Sequence, residues 1–240
     1  MGLFDRFRKV KKEPRIPEKP AGGHGSHFDI SVGDMELVKG LVMYAANEPD
    51  TKENLETETP SFGKSTLFVG IKETNKYLSI FSQIVNKQLY TAYPKNLNTL
   101  KYPITVKKVT EWENVLEAWI EVQIFESNLN FFALDYYKNK MRYKIDGRLN
   151  INLSAFAYRI KKAEERKLKT KEGKEVTTKS MCAILPYSIQ NKNAFQDDYW
   201  FQGQVIDIIS FGKNKLFKTK VAIFGEKSFE IWIYALSNKI

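Results

Sequence analysis

Histidine and cysteine are scarce in this sequence. Of its 240 residues, two are histidine and one is cysteine. His24 and His27 both lie in the glycine-rich segment GGHGSH, so the rest of the chain has no imidazole for Ser-His-Asp or Cys-His catalysis or for a histidine-rich metal site. A metal bound by these two residues alone would have to order a flexible segment, at a cost in conformational entropy. We therefore expect no histidine-based active site and no metal or other cofactor.

Long hydrophobic runs are also missing from the sequence. Apolar stretches such as FFAL at 131–134 and AIL at 183–185 are far too short to cross a bilayer. The N-terminus has no seven-residue apolar stretch behind its charges, which argues against a secretory signal. The single cysteine, Cys182, cannot form an internal disulfide, and its apolar surroundings predict a buried, unreactive thiol. The expected location is cytoplasmic.

The sequence has no complete phosphate-binding loop. The stretch SFGKST at 61–66 contains Gly-Lys-Ser, but Glu58 stands where such a loop needs a further glycine. A carboxylate at that position would repel phosphate. We therefore do not expect ATP hydrolysis.

Positive charge is in excess, with a net charge of +10. Residues 1–20 carry seven Lys or Arg against three Asp or Glu, and residues 159–174 carry eight against three. The rest of the chain is nearly neutral. Because the excess is confined to two polar stretches, it indicates solvated surface more than a broad basic binding face.

The first basic stretch, MGLFDRFRKVKK, is a candidate contact with a membrane or a partner. Apolar side chains at helical spacing alternate with cations, and the predicted contact residues are Leu3, Phe4, Arg6, Phe7, Arg8 and Lys9. So short a helix is unstable alone in water, so it would fold only against an anionic membrane surface, which would place the protein peripherally at the membrane, or against a groove on a protein partner. An unbound tail would have the same pattern. The Pro- and Gly-rich stretch 11–29 predicts a flexible linker, with order beginning near Phe28 or Ile30.

Beyond the linker, the pattern predicts a β-rich α+β protein with mostly antiparallel strands and one or two packed helices. Residues 35–47 fit either a strand or a helix, and the acidic stretch 47–60 is expected to be a surface loop. Apolar spacing predicts helices over 75–90 and 154–169. Alternation and β-branched or aromatic residues predict strands at 66–71, 104–112, 115–125, 130–137, 148–153, 182–187, 200–211, 216–224 and 228–236.

The closely spaced C-terminal strands predict an antiparallel meander that could curl into an OB-like or similar small barrel. The expected organisation is a tail and linker over 1–29, an α+β region over 30–170 and the meander or barrel over 176–240. The sequence leaves open whether the last two regions share one core.

One stretch combines aromatic rings and cations as a nucleic-acid-binding surface would. In DYYKNKMRYK at 135–144, rings could stack on bases while cations meet phosphates. The predicted contacts are Tyr136, Tyr137, Lys138, Lys140, Arg142 and Tyr143, which Lys161 and Lys162 would extend. The other interpretation is a strand end with aromatic core residues and solvated lysines.

Catalysis without histidine would need paired carboxylates. The candidates are Asp135 and the adjacent pair Asp197 and Asp198. Adjacent residues on a strand point to opposite faces, so this pair would converge only in a turn. No spacing in the sequence points to a carboxylate-dependent hydrolase, although none excludes it.

The leading hypothesis is therefore a non-catalytic intracellular binding or scaffold protein that its basic tail tethers to a membrane surface or a protein partner. The alternative is a nucleic-acid-binding β-barrel protein that uses the strip around 136–144.

Overall fold

A computed structural model describes residues 24–169, 173, 175–178, 182–224 and 227–240. Strands account for 55% and helical residues for 15%, which confirms the predicted β-rich α+β class. Within this described part the α-helices are α1 (Gly25–Ser31), α2 (Met35–Asn47) and α3 (Tyr136–Asn139), and single 3₁₀ turns lie at Lys140–Arg142, Tyr187–Ile189 and Ser237–Lys239. The predicted tail contacts Leu3, Phe4, Arg6, Phe7, Arg8 and Lys9 lie outside the described residues, so that prediction stays a prediction.

The described residues form sixteen strands. In the first half of the chain these are β1 (Thr51–Thr59), β2 (Gly63–Asn75), β3 (Leu78–Val85), β4 (Gln88–Asn96), β5 (Leu100–Glu111), β6 (Ala118–Ile124) and β7 (Ser127–Phe132). In the second half they are β8 (Arg148–Leu153), β9 (Ala155–Phe156), β10 (Lys167–Lys169), β11 (Glu175–Thr177), β12 (Ala183–Pro186), β13 (Tyr199–Gln202), β14 (Gln204–Phe211), β15 (Asn214–Phe224) and β16 (Lys227–Ala235).

Three four-stranded sheets contain most of these strands. Their strand orders are β1-β2-β3-β4, β7-β6-β5-β8 and β14-β15-β16-β9. β10 pairs with β11, and β12 pairs with β13, in two small two-stranded sheets. Every pairing among the described strands is antiparallel except that of β9 with β16. The predicted antiparallel strand pairing is therefore confirmed. Of the predicted C-terminal strands, β14, β15 and β16 form a meander, whereas β12 pairs with β13 in a separate sheet.

The described strands form open sheets and no closed barrel, so the predicted OB-like barrel is wrong. The meander β14-β15-β16 is extended by β9, which lies parallel to β16 and pairs Ala155 with Ile233. β14 therefore stays at the opposite edge. Closure would require β14 to take the place that β9 occupies.

The helix predicted over residues 75–90 is wrong, because this stretch forms the β3–β4 hairpin. β3 is buried on both faces: Ile80 belongs to the buried cluster with α2, and Phe81 belongs to the neighbouring cluster within the sheet. A strand buried on both faces has apolar residues at consecutive positions, and these can coincide with helical spacing. The chain reverses at Asn86 and Lys87, both with positive φ angles, as a tight hairpin requires.

Two other predicted segments also differ from the structure. Most of the acidic stretch 47–60 is the edge strand β1, which pairs along its whole length with β2. Charged side chains on an edge strand hinder pairing with other chains, which explains a polar sequence in a strand. The predicted helix over 154–169 contains the short strand β9 instead. There the Ala157 N–H donates to the carbonyl of Tyr234 (3.0 Å), so the sheet uses a backbone group that a helix would need.

The stretch 35–47, which fits a strand or a helix, is the helix α2. The carboxylate of Asp34 accepts hydrogen bonds from the N–H groups of Glu36 (2.9 Å) and Leu37 (3.2 Å), which satisfies the helix N-terminus. The helix lies so close to β2 that a Cβ at Gly70 would be 1.7 Å from the carbonyl oxygen of Ala45. Only glycine at position 70 allows this approach.

The largest buried cluster joins the two regions that the sequence divides at about residue 170. It contains side chains of the β5–β8 region together with those of the C-terminal meander, among them Ile104, Val122, Ile151, Val221, Phe229 and Ile233. None of the helices in the described residues has the length and apolar character needed to cross a bilayer.

Candidate functional site

The segment that contains both histidines is ordered, so the predicted flexible linker is wrong for residues 24–29. α1 follows His24 directly, and the His24 side chain is buried. Phe28 packs in a cluster with residues of α2 and with Ile80, and this contact supplies burial that the segment's own Gly- and Ser-rich sequence does not indicate. The expectation that the folded part of the protein lacks imidazole is therefore also wrong.

Aromatic rings enclose the imidazole of His24. The ring stacks on Trp112, with 5.3 Å between centroids and 10° between planes. Phe132 and Tyr93 lie against other sides, at centroid distances of 4.7 and 5.4 Å. His24 is thus enclosed by rings from β4, from β7 and from the loop after β5.

A buried carboxylate holds His24 in this position. Nε2 of His24 lies 2.6 Å from Oε1 of Glu117, and both side chains are about 1% exposed. The hydroxyl of Thr91 donates to the same oxygen (3.1 Å), and the amide of Asn114 donates to the other. These hydrogen bonds offset the cost of burying the carboxylate. The predicted strand over 115–125 includes Glu117, but β6 begins only at Ala118.

His27 connects this buried pair to a cleft. Its Nδ1 lies 3.0 Å from Nδ1 of His24, and its side chain is half-buried. Burial and, to a smaller extent, the charge of His24 lower the pKa of His27, which is about 4. His27 is therefore neutral at pH 7.

The cleft, which we call the central cleft, has a volume of about 540 Å³ and lies between β4, β7, β8 and the C-terminal sheet. Its apolar wall includes Leu129, Phe132, Phe201, Val221, Phe229 and Ile231. Its polar and charged lining includes His27, Lys95, Asn130, Asp135, Arg142, Tyr143, Asp197, Asp198 and Tyr199. The central cleft therefore combines apolar side chains with polar side chains and with charges of both signs.

All three predicted carboxylates line the central cleft, but two of them are engaged in hydrogen bonds. Asp135 accepts from the hydroxyl of Tyr143 (2.6 Å) and from the amide of Asn139 (2.7 Å). Asp198 accepts from the N–H of Phe195 (2.9 Å). Asp197 and Asp198 lie in a turn before β13, which brings both to the same cleft.

Asp197 differs from the other two carboxylates. Its Oδ1 is buried and has no hydrogen-bond partner among the described residues. Burial, and to a smaller extent the charge of Asp198, raise the pKa of Asp197 to about 6. Smaller opposing effects come from a hydrogen bond with its own backbone N–H, from the charge of His24 and from a hydrogen bond with the side chain of Trp119. Asp197 is therefore still mostly ionised at pH 7, with one oxygen directed to no protein donor.

The predicted nucleic-acid strip is not a strand end but α3 and the 3₁₀ turn that follows it. The ring of Tyr136 is buried and its hydroxyl donates to Glu111 (2.9 Å), and Tyr143 is buried against Asp135. Burial raises the pKa of both tyrosines, and their carboxylate partners raise it further. These two rings are not available to stack on bases.

The remaining residues of the strip are placed differently. Tyr137 and Lys138 both contact Glu53, at 3.2 and 2.7 Å, and Lys140 pairs with Glu111. Arg142 is exposed and lines an open surface pocket with Lys101, Arg148, Asn150 and Asn152. The structure thus groups Arg142 with two cations that the sequence pattern did not single out. Lys161 and Lys162 are exposed in a stretch without regular secondary structure.

Cys182 and the Gly-Lys-Ser motif, which the sequence singles out, are not among the residues that line the central cleft. The thiol of Cys182 is half-buried, and its Sγ lies 3.4 Å from the carbonyl oxygen of Lys220. The Gly-Lys-Ser sequence lies in the β1–β2 hairpin, whereas a phosphate-binding loop leads into a helix. In the described parts of the chain, no group of three or more His, Cys, Asp or Glu side chains is arranged to hold a metal ion.

Comparison with protein-family models, with curated proteins and with solved structures returned no match. The function is therefore inferred from the geometry of this chain.

Proposed function

We propose that this protein is a non-catalytic binding protein whose central cleft holds a small organic ligand. The observation that carries the proposal is the cleft itself, which has about 540 Å³ of space and is lined by apolar, polar and charged side chains. Small-molecule sites in proteins have this size, with apolar area for affinity and polar groups for orientation.

Binding is favoured over catalysis because the groups that could do acid–base chemistry are already engaged. Both nitrogens of His24 have partners, Nε2 in Glu117 and Nδ1 in His27, and the ring is enclosed. Asp135 and Asp198 accept hydrogen bonds from neighbouring groups.

The cleft proposal predicts that blocking the cleft abolishes ligand binding. Asn130 is half-buried on β7 and lines the cleft, so an Asn130→Trp side chain would fill part of it. Small aromatic compounds found to bind the wild-type protein by saturation-transfer NMR are expected to lose about tenfold or more in affinity, equal to about 1.4 kcal/mol. The matched control is Asn128→Trp, because Asn128 is exposed two residues earlier on the same strand. Equal affinities for the two variants would contradict the proposal.

We further propose that the basic N-terminal segment tethers the protein peripherally to an anionic membrane or to a protein partner in the cytoplasm. The support is the sequence pattern of three apolar side chains among cations. Replacing Leu3, Phe4 and Phe7 with serine in the full chain is expected to abolish co-flotation with phosphatidylserine vesicles. Vesicles of phosphatidylcholine alone provide the control for charge. Equal flotation of wild type and variant would contradict the membrane tether, and a partner pull-down with the same pair would then test the protein groove.

Nucleic-acid binding is the second candidate, and the open pocket with Lys101, Arg142 and Arg148 favours it. Three exposed cations beside polar side chains could meet phosphates, although the buried rings of Tyr136 and Tyr143 could not stack. If this candidate is correct, oligonucleotide binding measured by fluorescence anisotropy should weaken steeply with salt. It should also be lost when the three cations are replaced with glutamine. Binding that is absent at low salt, or that survives this replacement, would contradict it.

A further inference from the structure

One carboxylate oxygen of Asp197, a residue that lines the central cleft, has no hydrogen-bond partner among the described residues. This oxygen, Oδ1, is itself buried. A buried polar atom without a partner is costly, and a buried charge without a partner is more so. Native proteins keep few such atoms, and those at a cavity wall often face a ligand.

The charge of Asp197 is not balanced by a basic side chain. Among the described residues, no Lys or Arg forms an ion pair with it. His24 is the one imidazole near enough to affect its pKa, but both nitrogens of that ring have other partners. The neighbouring Asp198 adds a second negative charge at the same wall.

The rest of the wall near Asp197 is apolar and aromatic. Phe132, Tyr199 and Phe201 line the same cleft, and the hydroxyl of Tyr199 accepts a hydrogen bond from the N–H of Asn130 (2.6 Å), which fixes that ring. An orphaned carboxylate oxygen beside fixed rings suits a cationic nitrogen that carries a hydrocarbon body, because the carboxylate accepts its N–H and the rings bury its carbon atoms.

We infer that Asp197 anchors the ammonium group of a ligand with an aromatic or aliphatic body in the central cleft. This inference rests on the proposed function of the cleft as a ligand site. The N–H of the ligand donates to Oδ1, and the two charges neutralise each other in a water-poor site. A carboxylate placed in the same position is repelled by Asp197 and Asp198, although Lys95 and Arg142 also line the cleft.

The test uses three probes of one shape: phenethylamine, phenethyl alcohol and phenylacetate. Their affinities for the full-length protein are measured by titration calorimetry or saturation-transfer NMR at neutral pH. We expect phenethylamine to bind about tenfold or more tightly than the alcohol, the size of a charge-assisted hydrogen bond, and phenylacetate to bind most weakly. Equal affinity for the amine and the alcohol would overturn the inference.

Two variants separate direct contact from general electrostatics. Asp197→Asn should remove the preference for the amine while changing the affinity for the alcohol less than about twofold. Asp198→Asn removes an equal charge from the same wall and keeps an acceptor for the N–H of Phe195, so it should keep most of the preference. If Asp197→Asn keeps the preference, or if Asp198→Asn removes it equally, Asp197 is not the anchor.

The same panel distinguishes failure of this inference from failure of the proposed function. Loss of all binding in Asn130→Trp, with no discrimination between amine and alcohol in the wild type, would leave the cleft as a ligand site and reject Asp197 as an anchor. Binding that Asn130→Trp does not affect would reject the cleft itself and the anchor with it.

Discussion

Replacing Glu117 with alanine is expected to lower the free energy of unfolding by about 3–5 kcal/mol. The substitution removes the partner of His24 Nε2 and leaves the hydroxyl of Thr91 and the amide of Asn114 without their acceptor inside the protein. Removing one member of a buried hydrogen-bonded pair is costly because the other groups stay buried without partners. Urea unfolding followed by circular dichroism measures this loss.

The same substitution should release α1 before the rest of the protein unfolds. His24 is buried against Trp112, Phe132 and Tyr93, and Glu117 is the group that ties it to the sheets. Amide hydrogen exchange over residues 25–31 should accelerate much more than exchange in β5 and β6. Glu113→Ala is the matched control, because Glu113 lies in the same loop and is exposed. If both variants have wild-type stability, the buried pair does not hold α1 in place.

Replacing Asp197 with asparagine is expected to raise the free energy of unfolding at pH 7 by up to about 3 kcal/mol. The pKa of Asp197 is about 6 in the folded protein against an ordinary value of 3.8, mainly because of burial and then because of Asp198. The folded state therefore binds a proton more tightly than the unfolded state. Its stability falls as the pH rises from about 4 to about 6, and the full cost remains above pH 6. Asparagine at this position carries no charge and avoids that cost.

The contribution of His27 to the free energy of unfolding has the opposite dependence on pH. Its pKa is lowered to about 4, so the unfolded state binds the proton more tightly, and stability falls as the pH drops from about 6.5 to 4. In the wild type the two groups offset each other over much of this range. Asp197→Asn should therefore be more stable than the wild type at pH 7 and should lose stability more steeply on acidification.

Urea unfolding at several pH values between 4 and 7 tests both statements about Asp197. The control is Asp146→Asn, which removes an exposed carboxylate and leaves a residue that tolerates the positive φ at this position. The control should show wild-type stability at each pH. If Asp197→Asn is less stable than the wild type at pH 7, a partner offsets the burial of the wild-type carboxylate. The prediction that this charge destabilises the folded protein would then be wrong.

The one-sided strands were predictable from sequence. In β6, Ile120, Val122 and Ile124 are buried and Gln123 is exposed, as the alternation of residue types predicts, although Trp119 is buried as well. The turn at Asp146 and Gly147 also has a local signature in the sequence. Asp146 has a φ of 61°, and Asp and Gly are residues that tolerate such angles in tight turns. By contrast, the prediction of a strand over 130–137 was only partly correct, because β7 ends at Phe132 and α3 begins at Tyr136.

The candidate site was predictable only in fragments. Asp135, Asp197 and Asp198 were singled out as carboxylates, but the sequence did not indicate which of them has an unpartnered oxygen. Glu117 was missed, because its partner His24 lies 93 residues away along the chain. The Asn114-x-x-Glu117 spacing was the one local signal, since Asn114 Oδ1 accepts the N–H of Glu117 (3.1 Å) and positions its backbone.

The sequence by itself determined the β-rich class, the antiparallel C-terminal meander and most strands with one solvent face, because alternation is a local property of residues on a pleated strand. Only the tertiary structure decided that residues 75–90 form two strands, that the Gly-rich segment 24–29 is ordered, and that Oδ1 of Asp197 has no hydrogen-bond partner among the described residues. Burial on both faces of a strand and the pairing of buried polar groups depend on contacts between residues far apart in sequence. No local pattern of residue types encodes such contacts.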